Sequence, residues 1–191
     1  MKKNSFIKDV LEVIVSSIVI IFILLNFVIF PCRVDGASMY PTLKTDQKGY
    51  SFVFTRLIGI NRFDICVLNV DTSDSSKKIV KRVIGLPNET IEYKDNKLFI
   101  DGIYYEEPFL VDATTNDFKI TLGGDEYCCL GDNRGISKDS RYYGAFKKKD
   151  FKATHVLVVS PISEFGLRKW QYNGFLDICK RPEDRWKKIS N

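Results

Sequence analysis

The sequence predicts a mostly β protein: an antiparallel β-sheet or barrel-like domain behind one N-terminal transmembrane helix. Three observations carry this. One uncharged apolar run near the N-terminus is long enough to cross a bilayer, and no second run of that kind follows it. The remaining chain, about 160 residues and so enough for one domain with a core, is a series of short segments rich in β-branched and aromatic residues. Gly, Pro, Asn and Asp punctuate those segments, and aromatic residues make up 13% of the 191-residue chain.

The apolar run, Val13 to Phe30, is 18 residues interrupted only by Ser16, Ser17 and Asn26. As a helix it spans roughly 27 Å, close to a hydrocarbon core. Lys2, Lys3 and Lys8 precede it, whereas Arg33 and Asp35 nearly cancel after it. The positive-inside rule then puts the N-terminus in the cytoplasm and the domain outside. A cleavable signal peptide would have a shorter apolar region ending in small residues, and Pro31-Cys32-Arg33-Val34-Asp35 fits that poorly. The expected division is 1–31, cytoplasmic segment and retained anchor, and 32–191, an extracytoplasmic β-rich domain.

Strand expectations follow at 50–55, 63–70, 78–85, 89–94, 97–105, 118–122, 126–131 and 155–160. Asp101-Gly102 is a tight-hairpin signal and Asp95-Asn96 marks a second turn. The stretch at 71–78, "DTSDSSKK", reads as a polar loop. No internal repeat or interdomain linker is visible.

Composition limits function. The net charge of +5 is spread along the chain, with local groups "FKKKDFK" and "RWKK". These read as solvated surface or, near a membrane, as contacts to anionic lipid; no nucleic-acid motif accompanies them. The five cysteines, Cys32, Cys66, Cys128, Cys129 and Cys179, form no CxxC pair. They imply neither a metal site nor a disulfide framework, and no cofactor is expected. Cys66, Cys128 and Cys129 lie in apolar runs, where a thiol acts as a small hydrophobe.

The candidate chemistry begins at "VDGASMYPTLKTD", 34–46, where Ser38 sits on a glycine-bearing turn just past the apolar run. A serine hydroxyl needs a base. The single histidine, His155, lies in what reads as a plain strand, "KATHVLVVS". Most lysines sit among charges, but in "KKIVKRVIGLP" strand alternation places Lys81 between Ile79 and Val83, with Arg82 on the other face. Burial there would lower the pKa of the amine and make it a base. Periodicity alone leaves open an edge lysine that reaches water.

"GASMYPTL" (36–43) resembles the nucleophile box of type I signal peptidases. "NRFDICVLN" (61–69), "KRVIGLPNE" (81–89) and "GDNRGISKDSRYYG" (131–144) resemble the boxes that follow, in family order behind an anchor. The resemblance implies a Ser-Lys endopeptidase that removes signal peptides from secreted preproteins, with Ser38 as nucleophile and Lys81 as general base. It implies that Ser137 hydrogen-bonds the lysine and that Asp139 and Arg141 brace the last loop. It implies cleavage after an Ala-x-Ala pattern, and Val34, Met39, Leu43 and Val80 are adjacent in sequence to the pair and expected to wall the pocket. The substrate is expected to add as a strand to a sheet edge. Two departures stand out. Asn88-Glu89 replaces the usual Gly-Asp, which Asn tolerates where φ is positive, and Phe63 replaces a small residue. Gly36 occupies a position where some members carry a hydroxyl that helps hold the oxyanion. Other readings are a cytoplasmic Ser-Lys autoprotease, disfavoured because no DNA-binding domain precedes the serine, and a membrane-anchored non-catalytic β-domain or inactive paralogue.

Overall fold

The computed structural model describes residues 2–24, 28–54, 59–72, 75–110 and 115–168. Cys179 and the basic segment "RPEDRWKKISN", which contains "RWKK", lie outside the described residues.

Helix α1 (Lys2–Ile23) precedes twelve strands: β1 (Ile29–Arg33), β2 (Lys48–Phe52), β3 (Ile65–Thr72), β4 (Ser75–Gly85), β5 (Thr90–Lys94), β6 (Lys97–Ile100), β7 (Ile103–Tyr105), β8 (Phe118–Thr121), β9 (Glu126–Leu130), β10 (Phe146–Lys147), β11 (Phe151–Ser160) and β12 (Gly166–Arg168). A one-turn helix α2 (Ser140–Tyr143) lies between β9 and β10. The main sheet runs β1-β2-β11-β3-β4-β9-β10, with β12 also paired to β11, and a second sheet runs β7-β6-β5-β8. All pairings are antiparallel.

The expected barrel-like closure is not formed. The main path ends in β1 and in β10, a two-residue strand too short to carry the sheet further. The expected membrane helix over 13–30 is also redrawn. Helix α1 ends at Ile23, and Ile29 and Phe30, the last residues of the apolar run, pair with Phe52 and Ser51 of β2. No helix among the described residues is long and apolar enough to cross a membrane. Helix α1 carries Lys8, Asp9 and Glu12 in its first half, and a run of β-branched and aromatic residues serves a strand as well as a helix. Strand β1 therefore straddles the boundary expected at residue 31.

The stretch at 71–78 is a second correction. Residues 71–72 and 75–78 lie in the paired strands β3 and β4, with Val70 opposite Lys77 and Asp71 opposite Ser76, and 73–74 lie outside the described residues. Asp71, Ser76, Lys77 and Lys78 are all exposed, so the alternation that betrays a half-buried strand is missing. The turn signals are borne out: Asp95 and Asn96 have φ 52° and 60°, and Asp101 and Gly102 have φ 51° and 80°, the double positive φ of a two-residue hairpin.

Three apolar clusters fill the interior among the described residues. One joins the sheets through Phe63, Ile84, Ile91, Leu98 and Leu130. A second lies around Cys66, Leu68, Val83, Cys129 and Phe151, and the thiols of Cys66, Cys128 and Cys129 are fully buried, as the apolar runs predict. The third gathers Val34, Met39, Leu43, Ile65 and Val156, with Val80 and Cys32 packed on it.

Candidate active site

Strand β4 supplies the amine. Its central position between β3 and β9 leaves Lys81 only 3% exposed. Burial lowers the Lys81 pKa below its ordinary value of 10.5, and the Asp139 carboxylate, the largest opposing influence, pulls it back up.

The hydroxyl comes from the loop between β1 and β2. Gly36 has φ 85°, a left-handed conformation that suits glycine, and it turns the chain out of β1. A helical turn follows, closed by Leu43 N–H donating to Met39 O at 2.8 Å. Ser38 is half-buried at its start. Lys81 Nζ lies 2.8 Å from Ser38 Oγ in hydrogen-bond contact. The fold thus unites two residues 43 positions apart in sequence.

A third segment, 131–141, closes over this pair. Asn133 N–H donates to Ser38 O at 3.0 Å. Arg141 grips Asp139 with two bonds, Nε to Oδ1 at 2.8 Å and Nη2 to Oδ2 at 2.7 Å, and Gly131 N–H donates to Asp139 Oδ2 at 2.9 Å. Burial pushes the Asp139 carboxyl up, but the Arg141 and Gly131 hydrogen bonds outweigh it and hold the group below its ordinary range. Asp139 also caps α2 by accepting from Arg141 N–H. Ser137 stands differently from expectation. Its hydroxyl is near enough to Asp139 to help stabilise the carboxylate, yet no group meets it in hydrogen-bond geometry, so the expected bond to Lys81 is not formed here.

The four residues expected to wall a substrate pocket gather in one cluster. Met39 and Leu43 are 1% and 0% exposed, so their side chains are packed inside it. His155 is not in a plain strand. It has φ 62° at a register shift of β11, where its Nδ1 meets Thr154 Oγ1 at 2.9 Å and its Nε2 lies 3.5 Å from Asp64. Asn88 has φ 67°, as the replacement of glycine requires. Glu89 accepts from Arg62 at 2.5 and 2.8 Å and from Leu86 N–H at 2.7 Å, so the acid of that turn keeps a partner.

Sequence reasoning missed a buried ionic network behind the pair. Arg82 and Asp132 are both fully buried and doubly bonded, at 2.8 and 2.6 Å. Thr42 Oγ1 donates to Asp132 at 2.5 Å, and Arg82 also donates to Phe63 O. The strand of Lys81, the turn of Ser38 and the third segment are thereby locked together. The sequence reading placed Arg82 only on the face opposite Lys81; once that face is buried an arginine demands an acid, and "GDNR" holds one. Gly131 was missed as well. A Cβ there would lie 2.5 Å from Ser38 O and 2.6 Å from Ser137 Cβ, so only glycine allows the two serine-bearing segments to meet.

A serine hydroxyl in contact with a buried amine of lowered pKa is the working arrangement of a serine-type hydrolase. Comparison with known proteins makes this specific. The family model described as "Signal peptidase, peptidase S26" matches residues 7–160. "Signal peptidase I S" of Bacillus subtilis (strain 168) is 36% identical over 176 residues, 85% of this chain and 94% of that protein. "Signal peptidase IB" of Staphylococcus aureus (strain COL) is 31% identical over 181 residues, 83% of this chain and 93% of that protein. A crystal structure of a signal peptidase I from Enterococcus faecalis V583 superposes with a TM-score of 0.45 at 33% identity, over 50% of this chain and 95% of that one. The chain belongs to the peptidase S26 signal peptidase family and is a serine-type peptidase.

Proposed function

We propose that this peptidase removes N-terminal signal peptides from secreted preproteins through a Ser38-Lys81 dyad, cleaving after the small residues of an Ala-x-Ala pattern. The 2.8 Å contact between Lys81 Nζ and Ser38 Oγ, with the amine buried, carries the reading. Neutral Lys81 takes the Ser38 proton as Oγ attacks the scissile carbonyl. The protonated amine then gives that proton to the leaving nitrogen, and neutral again it activates the water that releases the acyl group. The Ser38 backbone N–H serves as one donor to the oxyanion. Asp139 and Arg141 hold the third segment in place. Val34, Met39, Leu43 and Val80 form the packed apolar backing that keeps the adjoining subsites small.

The anchor is part of this proposal. From residue 13 on, helix α1 exposes apolar side chains on every side, among them Val13 (66%), Ile18 (61%) and Phe22 (61%). A helical stretch apolar all round belongs in an apolar surround. Residues 13–23 give about 16 Å for lipid to receive, with the charged first half, which holds Lys2, Lys3 and Lys8, on the cytoplasmic side. The sheets then stand on the outer face. The test is cleavage of a preprotein by the full chain in detergent or vesicles. Cleavage at an Ala-x-Ala site, lost when Leu replaces the last Ala, supports the proposal; absence of cleavage, or indifference to that change, refutes it.

A further inference from the structure

We propose that the rim of the main sheet around Phe30 is a docking surface for the anionic phosphodiester headgroups of the bilayer, with Lys78 and Lys152 as its cations. The inference rests on the anchor reading above.

Phe30 lies in β1, and only residues 24–28 separate α1 from that strand. At about 3.5 Å per residue, the steps from Ile23 keep Phe30 within roughly 25 Å of the helix end. Two ammonium groups from different strands converge on its ring: Lys78 Nζ of β4 at 5.5 Å and Lys152 Nζ of β11 at 5.9 Å. Among the described residues neither ammonium meets a carboxylate within salt-bridge distance, in contrast to Arg33 with Asp46 or Lys119 with Glu92. Asp150, close to Lys152 in the chain, spends its carboxylate on Lys147 N–H at 2.7 Å.

The neighbouring edge is aromatic. Phe52 stands opposite Ile29, and its ring meets Phe54 edge-on at 6.1 Å. Tyr50, opposite Pro31, and Phe54 are each 40% exposed. Aromatic rings beside lysines are the side-chain combination favoured at a membrane-water boundary. Two cations that meet no carboxylate within salt-bridge distance among the described residues, close to the tether to α1, fit anionic lipid headgroups. Lys78 stands three residues before Lys81 in β4, so lipid held here would set the height of the dyad above the membrane.

The test uses the full chain in phosphatidylcholine vesicles carrying trace spin-labelled phosphatidylglycerol or phosphatidylcholine, with the immobilised fraction of each label as readout. Expected is a preference for the anionic label that weakens with salt. It should fall by about fivefold for each lysine removed in Lys78→Gln and Lys152→Gln, and should persist in Lys148→Gln/Lys149→Gln. Equal immobilisation of the two labels, or an unchanged preference in Lys78→Gln/Lys152→Gln, overturns the docking surface while leaving the anchor intact. Failure to immobilise either label removes the anchor itself, and the docking surface with it.

Discussion

Gly131→Ala should damage catalysis more than folding. The added Cβ would stand 2.5 Å from Ser38 O and 2.6 Å from Ser137 Cβ, whereas real Cβ contacts essentially never fall under 3.0 Å. The Ser38 carbonyl must therefore retreat by about 0.5 Å or the third segment must lift. It is backbone, so no rotamer change relieves the overlap. Either movement strains the Asn133 N–H bond to Ser38 O and shifts a hydroxyl that sits 2.8 Å from Lys81 Nζ. Overpacking of this kind costs about 1–3 kcal/mol, or roughly 2–10 °C in melting temperature for a chain of this size. Displacements approaching 1 Å in a reacting pair cost up to about 100-fold in rate. The expected result is a folded variant with kcat reduced roughly 10- to 100-fold and KM little changed, measured on a peptide substrate beside a thermal melt. Wild-type kcat would refute the claim that Gly131 sets the approach of Ser38.

Cleavage should increase with pH as Lys81 loses its proton, with the acid limb of kcat/KM below the ordinary lysine value because burial lowers this pKa; Lys81→Arg should be inactive, since guanidinium stays charged. Between the lowered folded pKa and 10.5, the unfolded chain binds more protons at Lys81 than the folded one, so this group's contribution to stability rises with pH across that window. Lys81→Met should accordingly be inactive yet more resistant to urea than the parent at neutral pH. Asp132→Ala strands the buried Arg82 charge and should cost about 3–5 kcal/mol in urea unfolding, while Arg82→Met/Asp132→Leu should recover most of it.

Legibility in the sequence followed how local each signal was. The turns at Asp95-Asn96 and Asp101-Gly102 are set by two residues whose backbone preference is their own, and they came out as read. Lys81 could be singled out because alternation along one strand reveals an amine on an apolar face, though only the fold shows Ser38 as its neighbour. The end of α1 could not be read. Ile29 and Phe30 are as apolar as the residues before them, and what draws them into β1 is a partner strand about twenty residues on. The strand pairing at 71–72 and 75–78 was hidden for a related reason: Asp71, Ser76, Lys77 and Lys78 are all exposed, so no apolar alternation marks it. Asp132 as the partner of Arg82, 50 positions away, and Gly131 as the contact between two serine segments are facts of three-dimensional packing. Ser137 shows the converse, a residue named through resemblance whose buried hydroxyl does not bond Lys81.

The central claim is that Ser38 attacks and Lys81 takes its proton. The most direct measurement is mass spectrometry of the full chain treated with a slowly deacylating ester or lactam acylating agent, followed by peptide mapping. The account predicts one acyl adduct on Ser38, formed faster as pH rises, absent in Ser38→Ala and in Lys81→Arg. An adduct on any other residue, or an undiminished Ser38 adduct in Lys81→Arg, would contradict it.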